Sequence, residues 1–166
     1  LSLQERQRLL REAPGLVVPQ RFLLPDCAGQ KPGRRLVQLG LALYDAIVEP
    51  DWVDYNGHMT ESRYYYCNSE TVDNFLRMIG AGMDYVAAGH SYYSAETHIR
   101  HLGEAKLGDQ VRGELQIISA DEKRFRSFVR IMKGEECVAT VEQLCLHVDM
   151  KAGKTVAAAP EVWGKL

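Results

Sequence analysis

Residues 60–80 read TESRYYYCNSETVDNFLRMIG, and this stretch predicts the longest helix of the chain. Thr60 is a residue type that begins helices, and Gly80 is the type that follows their last turn. Between them, apolar or small side chains recur at helical spacing and form one face that a sheet can cover. The predicted buried face consists of Tyr65, Ser69, Val72, Phe75, Leu76 and Ile79. The opposite, solvent-facing side consists of Arg63, Glu70, Asp73, Asn74 and Arg77.

Strand-like segments lie on both sides of this helix. The first runs from about Leu41 to Val48 and ends before Pro50. After a helical turn near residues 83–88, four more are predicted at about 91–102, 109–119, 123–133 and 135–149, and Gly134 marks a hairpin between the last two. Their short connections favour an antiparallel meander. The expected fold is α+β, with an antiparallel sheet of about five strands wrapped around one long central helix.

The region before the first strand has a different composition. Ser2 and Glu5 have capping-box spacing, which predicts a short helix that ends near Pro14. Residues 14–36 then carry four prolines and three glycines, which is typical of an irregular segment. We therefore expect residues 1–40 to be an N-terminal helix with an arm or linker, and residues 41–166 to be the folded domain. Because the chain begins at Leu1 rather than methionine, we expect a processed piece or a domain of something longer.

Composition excludes several classes of partner. The chain has 166 residues with 46% hydrophobic content, which is enough for one core. Its 20 basic and 22 acidic side chains give a net charge of −2, so we expect no nucleic-acid partner and no membrane surface. No apolar run approaches the length of about 18 residues that crosses a bilayer, and the first residues do not form a signal peptide. We expect a cytoplasmic protein.

Cysteine and histidine spacing gives no sign of a metal site. Four cysteines are scattered without a CxxC pair, which favours a reducing compartment over a disulfide scaffold. His98 and His101 are three residues apart in a predicted strand, so their side chains point to opposite faces. We therefore expect no metal.

The candidate site precedes the long helix, in the sequence Asp54-Tyr55-Asn56-Gly57-His58-Met59-Thr60. A carboxylate in this turn lies near the unpaired N–H groups of a helix N-terminus. Thioester hydrolysis needs both parts, because a carboxylate attacks or activates water and N–H donors stabilise the oxyanion. The local alternative is that Asp54 only caps the turn while His58 packs below it.

Asp54, Gly57 and His58, followed by Tyr64, resemble the DxxGHxN...Y signature of the 4-hydroxybenzoyl-CoA thioesterase-like hotdog family. The resemblance extends over residues 41 to about 150 and includes an LGD turn at residues 107–109. It implies a hotdog fold, an acyl-CoA substrate without a separate cofactor, and Asp54 as the catalytic residue. It also implies an oxyanion hole in the backbone around Thr60 and Glu61. The implied catalytic set is Asp54, Gly57, His58, Thr60 and Glu61.

Four separate stretches, at residues 52–59, 91–93, 96–99 and 146–149, look like the thioesterase domain attached to some carnitine dehydrogenases. That group implies betainyl-CoA as substrate, a place in carnitine breakdown and a functional link to carnitine dehydrogenase. Thr60 departs from the pattern, which has asparagine there. Threonine keeps the cap but changes the hydrogen-bonding reach, so another short or aromatic acyl-CoA is the alternative substrate.

A trimethylammonium group has no N–H to donate, so aromatic faces and carboxylates must recognise it. Trp52, Tyr55 and Tyr93 are the predicted aromatic cage, and Glu96 is its predicted anionic wall. Other residues predicted to bind substrate are Asn56, Tyr64 and His98.

Coenzyme A carries phosphate groups, which require local positive charge. Arg124 and Arg126 share one strand face with Arg130 and are the predicted contacts for those phosphates. The alternative is that this face is simply solvated.

Three other features bear on the functional class. A hotdog hydratase or dehydratase is an alternative enzyme, but its motif with a wider Asp–His spacing is not found. A non-catalytic acyl-binding module would be favoured by the loss of the acidic residue at position 54, which is present. An uncovered sheet edge and face favour pairing of two copies, so we expect a homodimer or a larger even assembly.

Overall fold

The computed structural model describes residues 40–166. The helix predicted near residues 2–13 and most of the predicted arm lie outside the described residues. In chain order the elements are β1 (Leu41–Ile47), a 3-10 turn (Pro50–Trp52), α1 (Glu61–Ile79), α2 (Met83–Ala87), β2 (His90–His101), β3 (Gln110–Asp121), β4 (Arg124–Lys133), β5 (Glu136–Asp149), β6 (Lys154–Thr155) and α3 (Pro160–Trp163). Among residues 40–166, no helix is both long enough and apolar enough to cross a bilayer.

The predicted ends of the long helix are confirmed, because α1 begins directly after Thr60 and ends before Gly80. Gly80 adopts the left-handed conformation, with φ of 93°, which a residue without Cβ adopts without strain. Thr60 has the extended backbone of an N-cap, but its side chain makes no capping hydrogen bond. Its hydroxyl lies 3.2 Å from the Ser62 hydroxyl instead.

The predicted buried face of α1 is partly wrong. Tyr65 is 40% exposed, whereas Tyr64 is buried. The true buried face also includes Asn68 and Thr71, which a search for apolar residues passes over. Asn68 donates its side-chain N–H to Gln143 Oε1 at 3.1 Å, and the Thr71 hydroxyl donates to the Cys67 carbonyl. Because buried polar groups are tolerated when they are hydrogen-bonded, these contacts help the two polar residues to lie on the buried face.

The sheet has the strand order β1-β3-β4-β5-β2, and β6 pairs with the end of β5. Every pairing is antiparallel. The predicted four-strand meander is wrong for its first member, because β2 pairs with β5 and not with β3. The connection at residues 102–109 does not make a tight turn. This connection pairs with the chain before α1 through a bridge between His58 and Lys106. It carries the chain from β2, at one edge of the sheet, to β3, near the opposite edge.

The sheet presents two different faces. One face packs on α1, which contacts β1, β3, β4 and β5. We call the other the outer face. Since neighbouring residues of a strand point to opposite sides, Gln143 contacts α1 while Leu144 and Leu146 belong to the outer face. The position of a residue relative to these two faces decides whether it can reach the candidate site.

Gly113 of β3 permits the close approach of α1. A Cβ built at this position would overlap the Thr71 hydroxyl and lie 3.1 Å from Thr71 Cβ. A methyl group at this position would push α1 away from the sheet.

We predict that Gly113→Ala destabilises the fold by about 1–3 kcal/mol through overpacking. The measurement is urea denaturation of the wild type, Gly113→Ala, Thr71→Ala and the double variant. Because Thr71→Ala removes the overlapping hydroxyl, the double variant should be more stable than the sum of the single effects. Additive effects would contradict this account of the contact.

His147 joins three parts of the fold. Its Nδ1 lies 2.8 Å from the Val156 carbonyl, and its Nε2 lies 2.8 Å from the Tyr85 hydroxyl. Because a carbonyl only accepts, Nδ1 carries the proton and Nε2 accepts from Tyr85. Burial lowers the pKa of His147, the Val156 bond opposes this, and nearby His90 lowers the pKa further, so that the net shift is downward from 6.5.

The fold therefore favours neutral His147, and its contribution to stability is complete above pH 6.5 and declines as pH falls toward the folded-state pKa. We predict that the free energy of unfolding decreases below that pH and that His147→Gln flattens this dependence. Denaturation at a series of pH values measures it, and histidine NMR of the wild type gives the titration directly. His98→Gln, which removes an exposed histidine, should leave the dependence intact. An unchanged pH dependence in His147→Gln would contradict the assignment.

Candidate active site

Asp54 organises the turn before α1. Its Oδ1 accepts from the Asn56 amide at 2.8 Å and from the His58 amide at 3.2 Å. Its main chain exchanges hydrogen bonds with Gly57 and His58. Gly57 has φ of 79°, which favours glycine and lets the chain reverse within this short turn. The capping role considered from sequence is therefore present.

The second carboxylate oxygen of Asp54 is more lightly used. Among residues 40–166, Oδ2 accepts only from the Asn56 side chain, at the long distance of 3.3 Å. Partial burial favours the neutral acid, but the amides of His58 and Asn56 outweigh this effect and hold the pKa of Asp54 below 3.8. The carboxylate is therefore ionised at neutral pH, with one oxygen fixed by the turn and the other available to a ligand.

The first turn of α1 supplies free N–H groups next to this carboxylate. The family resemblance implied the Thr60 amide as an oxyanion donor. This amide instead donates to the Trp52 carbonyl at 2.9 Å and is not available to a ligand. The Arg63 amide donates to the Thr60 carbonyl. Within residues 40–166, the amides of Glu61 and Ser62 have no acceptor, because they belong to the unpaired start of the helix. The free amides next to Asp54 are therefore those of Glu61 and Ser62, one residue later than the pair expected from sequence.

The connection 102–109 forms the opposite wall. The Met59 amide donates to the Ala105 carbonyl at 2.8 Å, and the Ala105 amide donates to the Tyr64 hydroxyl at 3.0 Å. His58 Nε2 lies 3.3 Å from Glu104 Oε2. Burial raises the pKa of Tyr64, so its hydroxyl stays protonated. These contacts hold the wall against the Asp54 turn, and His58 faces Glu104 rather than packing beneath the turn.

A cleft of about 450 Å³ lies between these parts. It is lined by Asp54, His58, Met59, Thr60, Glu61, Ser62, Tyr64, His101, Gly103 and Glu104. The residues that carry the carboxylate and the two free amides thus line one cleft. A carboxylate and N–H donors beside one space are what attack on a carbonyl carbon and stabilisation of its oxyanion require.

A second cleft, of about 660 Å³, adjoins the first and shares His101, Gly103 and Glu104 with it. Lys106 and Lys133 line it. Lys133 Nζ donates to the Glu104 carbonyl at 2.7 Å and lies 3.2 Å from Glu136 Oε2. These two lysines place positive charge in the cleft that adjoins the candidate site.

The predicted aromatic cage does not assemble within the chain. The Trp52 ring is buried, and the Arg63 guanidinium lies 5.2 Å from its centroid. Tyr55 is 97% exposed. Tyr93 packs on the outer face with Leu144 and its neighbours. Of the residues predicted to bind substrate, Tyr64 lines the cleft, and Asn56 contacts Asp54.

Other predicted contacts also lie on the outer face. Glu96 and Arg126 both pair across the sheet with Leu144, and His98 pairs with Glu142. Arg126 lies 3.8 Å from Glu96 and binds Glu142 as well, so the predicted anionic wall and phosphate contact partly neutralise each other. Arg124, which pairs across the sheet with Leu146, binds Asp121. Local alternation grouped these residues correctly but could not tell which face the helix covers.

Sequence reasoning missed Glu104, His101 and Ser62 as parts of the site. Ser62 follows directly from the position of the helix start. Glu104 and His101 come from a distant segment, and the only sequence signal near them is the LGD turn that follows. Within residues 40–166, no group of three or more His, Cys, Asp or Glu side chains is arranged to hold a metal ion.

The chain is similar to known thioesterases in sequence. The model of the thioesterase-like superfamily matches residues 48–166. An L-carnitine dehydrogenase/betainyl-CoA thioesterase of Rhizobium meliloti is 52% identical over 141 residues, which are 83% of this chain but 28% of that protein. The chain thus spans little more than a quarter of that relative. The betainyl-CoA thioesterase of Pseudomonas aeruginosa is 30% identical, over 76% of this chain and 81% of that protein.

Among solved structures, a hypothetical protein from Staphylococcus aureus in complex with CoA has a TM-score of 0.70. The two are 21% identical, and the match covers 75% of this chain and 80% of the other. At this identity the likeness establishes the fold alone.

We predict that Tyr64→Phe destabilises the fold by about 1–3 kcal/mol, because it leaves the buried Ala105 amide without an acceptor. Chemical denaturation measures the loss, and hydrogen exchange of the Ala105 amide should become faster. Tyr65→Phe is the matched control, since this exposed neighbour should change stability by less than about 0.5 kcal/mol. Equal effects of the two variants would contradict the role of the Tyr64 hydroxyl.

Proposed function

The chain belongs to the thioesterase-like superfamily and has its hotdog fold, and from this premise we propose that it hydrolyses betainyl-CoA to betaine and free CoA. The observation that carries the proposal is the cleft in which the available Asp54 oxygen and the free amides of Glu61 and Ser62 meet. Betainyl-CoA is supported by the relatives of that name and by the four sequence stretches shared with such domains.

The chemistry follows from the two halves of this cleft. The thioester carbonyl oxygen lies against the Glu61 and Ser62 amides, so the negative charge that develops on attack is stabilised. Asp54 Oδ2 either attacks the carbonyl carbon to form a mixed anhydride or takes a proton from the attacking water. In both routes the C–S bond breaks, coenzyme A leaves as its thiolate, and water supplies the oxygen of the released acid.

Three other members of the set implied by the resemblance position Asp54 and the free amides. Gly57 permits the reversal that places the His58 amide on Asp54 Oδ1. The His58 ring holds Glu104, and Thr60 sets the start of the helix. These are positioning residues, and Asp54 is the catalytic residue.

The phosphate groups of coenzyme A fit the second cleft better than the outer face. Lys106 and Lys133 line that cleft, which shares His101, Gly103 and Glu104 with the first. Arg124 and Arg126 lie on the outer face of the sheet and line neither cleft. We therefore assign the phosphates to Lys106 and Lys133 instead of the two arginines.

Assembly and setting belong to the same proposal. The outer edge of β2, a strand of 12 residues, carries no neighbouring strand among residues 40–166. An edge of this length favours pairing with a second copy, which supports a homodimer or larger even assembly. We further infer a domain of residues 41–166 whose sheet wraps around α1, a cytoplasmic setting, and a link to a carnitine dehydrogenase.

We predict that Asp54→Asn lowers kcat for betainyl-CoA by at least about 100-fold, the usual scale for loss of a general base or nucleophile. Asparagine keeps an oxygen that can accept from the Asn56 and His58 amides, so the turn should survive. Release of free CoA measures turnover, and circular dichroism checks the fold.

Asp51→Asn is the matched control. Asp51 lies in the same region but pairs with Arg63 and does not line the cleft. It should retain turnover close to that of the wild type. A folded Asp54→Asn variant that hydrolyses every acyl-CoA as fast as the wild type would overturn the role of Asp54.

A further inference from the structure

We infer that Glu104, assisted by Glu61, selects a cationic acyl group in the active-site cleft, with the Tyr64 and His101 rings as its aromatic wall. This inference rests on the proposed thioesterase function and assigns its acyl specificity to residues other than the cage predicted from sequence. Glu104 was not among the predicted site residues. It lies in the connection 102–109, and the path of this connection places it at the cleft.

Charge in the cleft has one sign. Three carboxylates, those of Asp54, Glu61 and Glu104, line it, and no lysine or arginine does. Within residues 40–166, the carboxylates of Glu61 and Glu104 form no ion pair with a lysine or arginine. Lys133 touches only the backbone carbonyl of Glu104, and its charge is met by Glu136. The cleft therefore attracts a cation and repels an anionic acyl group.

Aromatic surface lies in the same cleft. The Tyr64 and His101 rings are 5.0 Å apart between centroids and nearly perpendicular. The hydrogen bond from the Ala105 amide fixes the hydroxyl of the buried Tyr64, so its ring keeps this position beside the exposed His101 ring. A quaternary ammonium group, which cannot donate a hydrogen bond, is stabilised by aromatic surface and by carboxylates that have no lysine or arginine partner.

The residues predicted earlier for this role are occupied elsewhere. Glu96 is close to Arg126 on the outer face, and the Trp52 ring faces the Arg63 guanidinium. Glu104, in contrast, lines the cleft and has a carboxylate without a lysine or arginine partner among residues 40–166. Glu61 shares these properties, but it also stabilises the start of α1, so it is the weaker test.

Two substrates of equal shape isolate the effect of charge. Betainyl-CoA carries a trimethylammonium group, and tert-butylacetyl-CoA carries the same group with a neutral carbon in place of nitrogen. The measurement is kcat/KM of the full chain for each thioester, expressed as the ratio of the cationic to the neutral substrate. Variants are Glu104→Gln, the charge-conserving Glu104→Asp, and Glu135→Gln, an exposed control that lines neither cleft.

The wild type should prefer betainyl-CoA, and Glu104→Gln should lower the ratio by about fivefold, the scale of a partly exposed charge pair. Glu104→Asp should retain more of the preference, and Glu135→Gln should retain all of it. Equal losses for both substrates in Glu104→Gln would overturn the inference, since that result shows only support of His58. A wild type that turns over both thioesters equally would also overturn it while leaving the thioesterase function intact. Absence of turnover with every thioester would overturn the proposed function itself.

Discussion

The site depends on the attachment of one distant segment to the start of α1. The Met59 amide donates to the Ala105 carbonyl, and the Ala105 amide donates to the Tyr64 hydroxyl. Ala105 is completely buried, so its amide and its carbonyl would each lose a hydrogen-bond partner if this segment separated from the start of α1. This attachment fixes the wall opposite Asp54, brings Glu104 to the cleft, and directs the chain from β2 to β3. The same hydrogen bonds therefore determine both the path of the chain between β2 and β3 and the shape of the candidate site.

Local sequence signals predicted what local physics controls. The bounds of α1 follow from Thr60 and Gly80, and the strands from β2 to β5 lie within two residues of their predicted ends. The hairpin at Gly134 is confirmed by its positive φ of 58°. Strand neighbours are different, because the pairing of β2 with β5 is set by the long-range path of residues 102–109. A short connection limits distance but does not dictate the partner.

The candidate site divides in the same way. Asp54, Gly57 and the helix start lie in consecutive sequence, so their proximity was predictable. Glu104 and His101 are brought there only by tertiary contacts. Glu96 and Arg126 were correctly placed on strands, but the face that α1 covers depends on polar pairs such as Asn68 with Gln143. Whether the Thr60 amide is free to bind a ligand was also not predictable, because it donates to the Trp52 carbonyl.

We propose that this chain hydrolyses a thioester whose acyl group is cationic. The most direct measurement is the rate of free CoA release by the full chain from betainyl-CoA, acetyl-CoA, butyryl-CoA and an aromatic acyl-CoA under one set of conditions. The account predicts the highest kcat/KM for betainyl-CoA. A flat profile, or a preference for a neutral acyl chain, would contradict it.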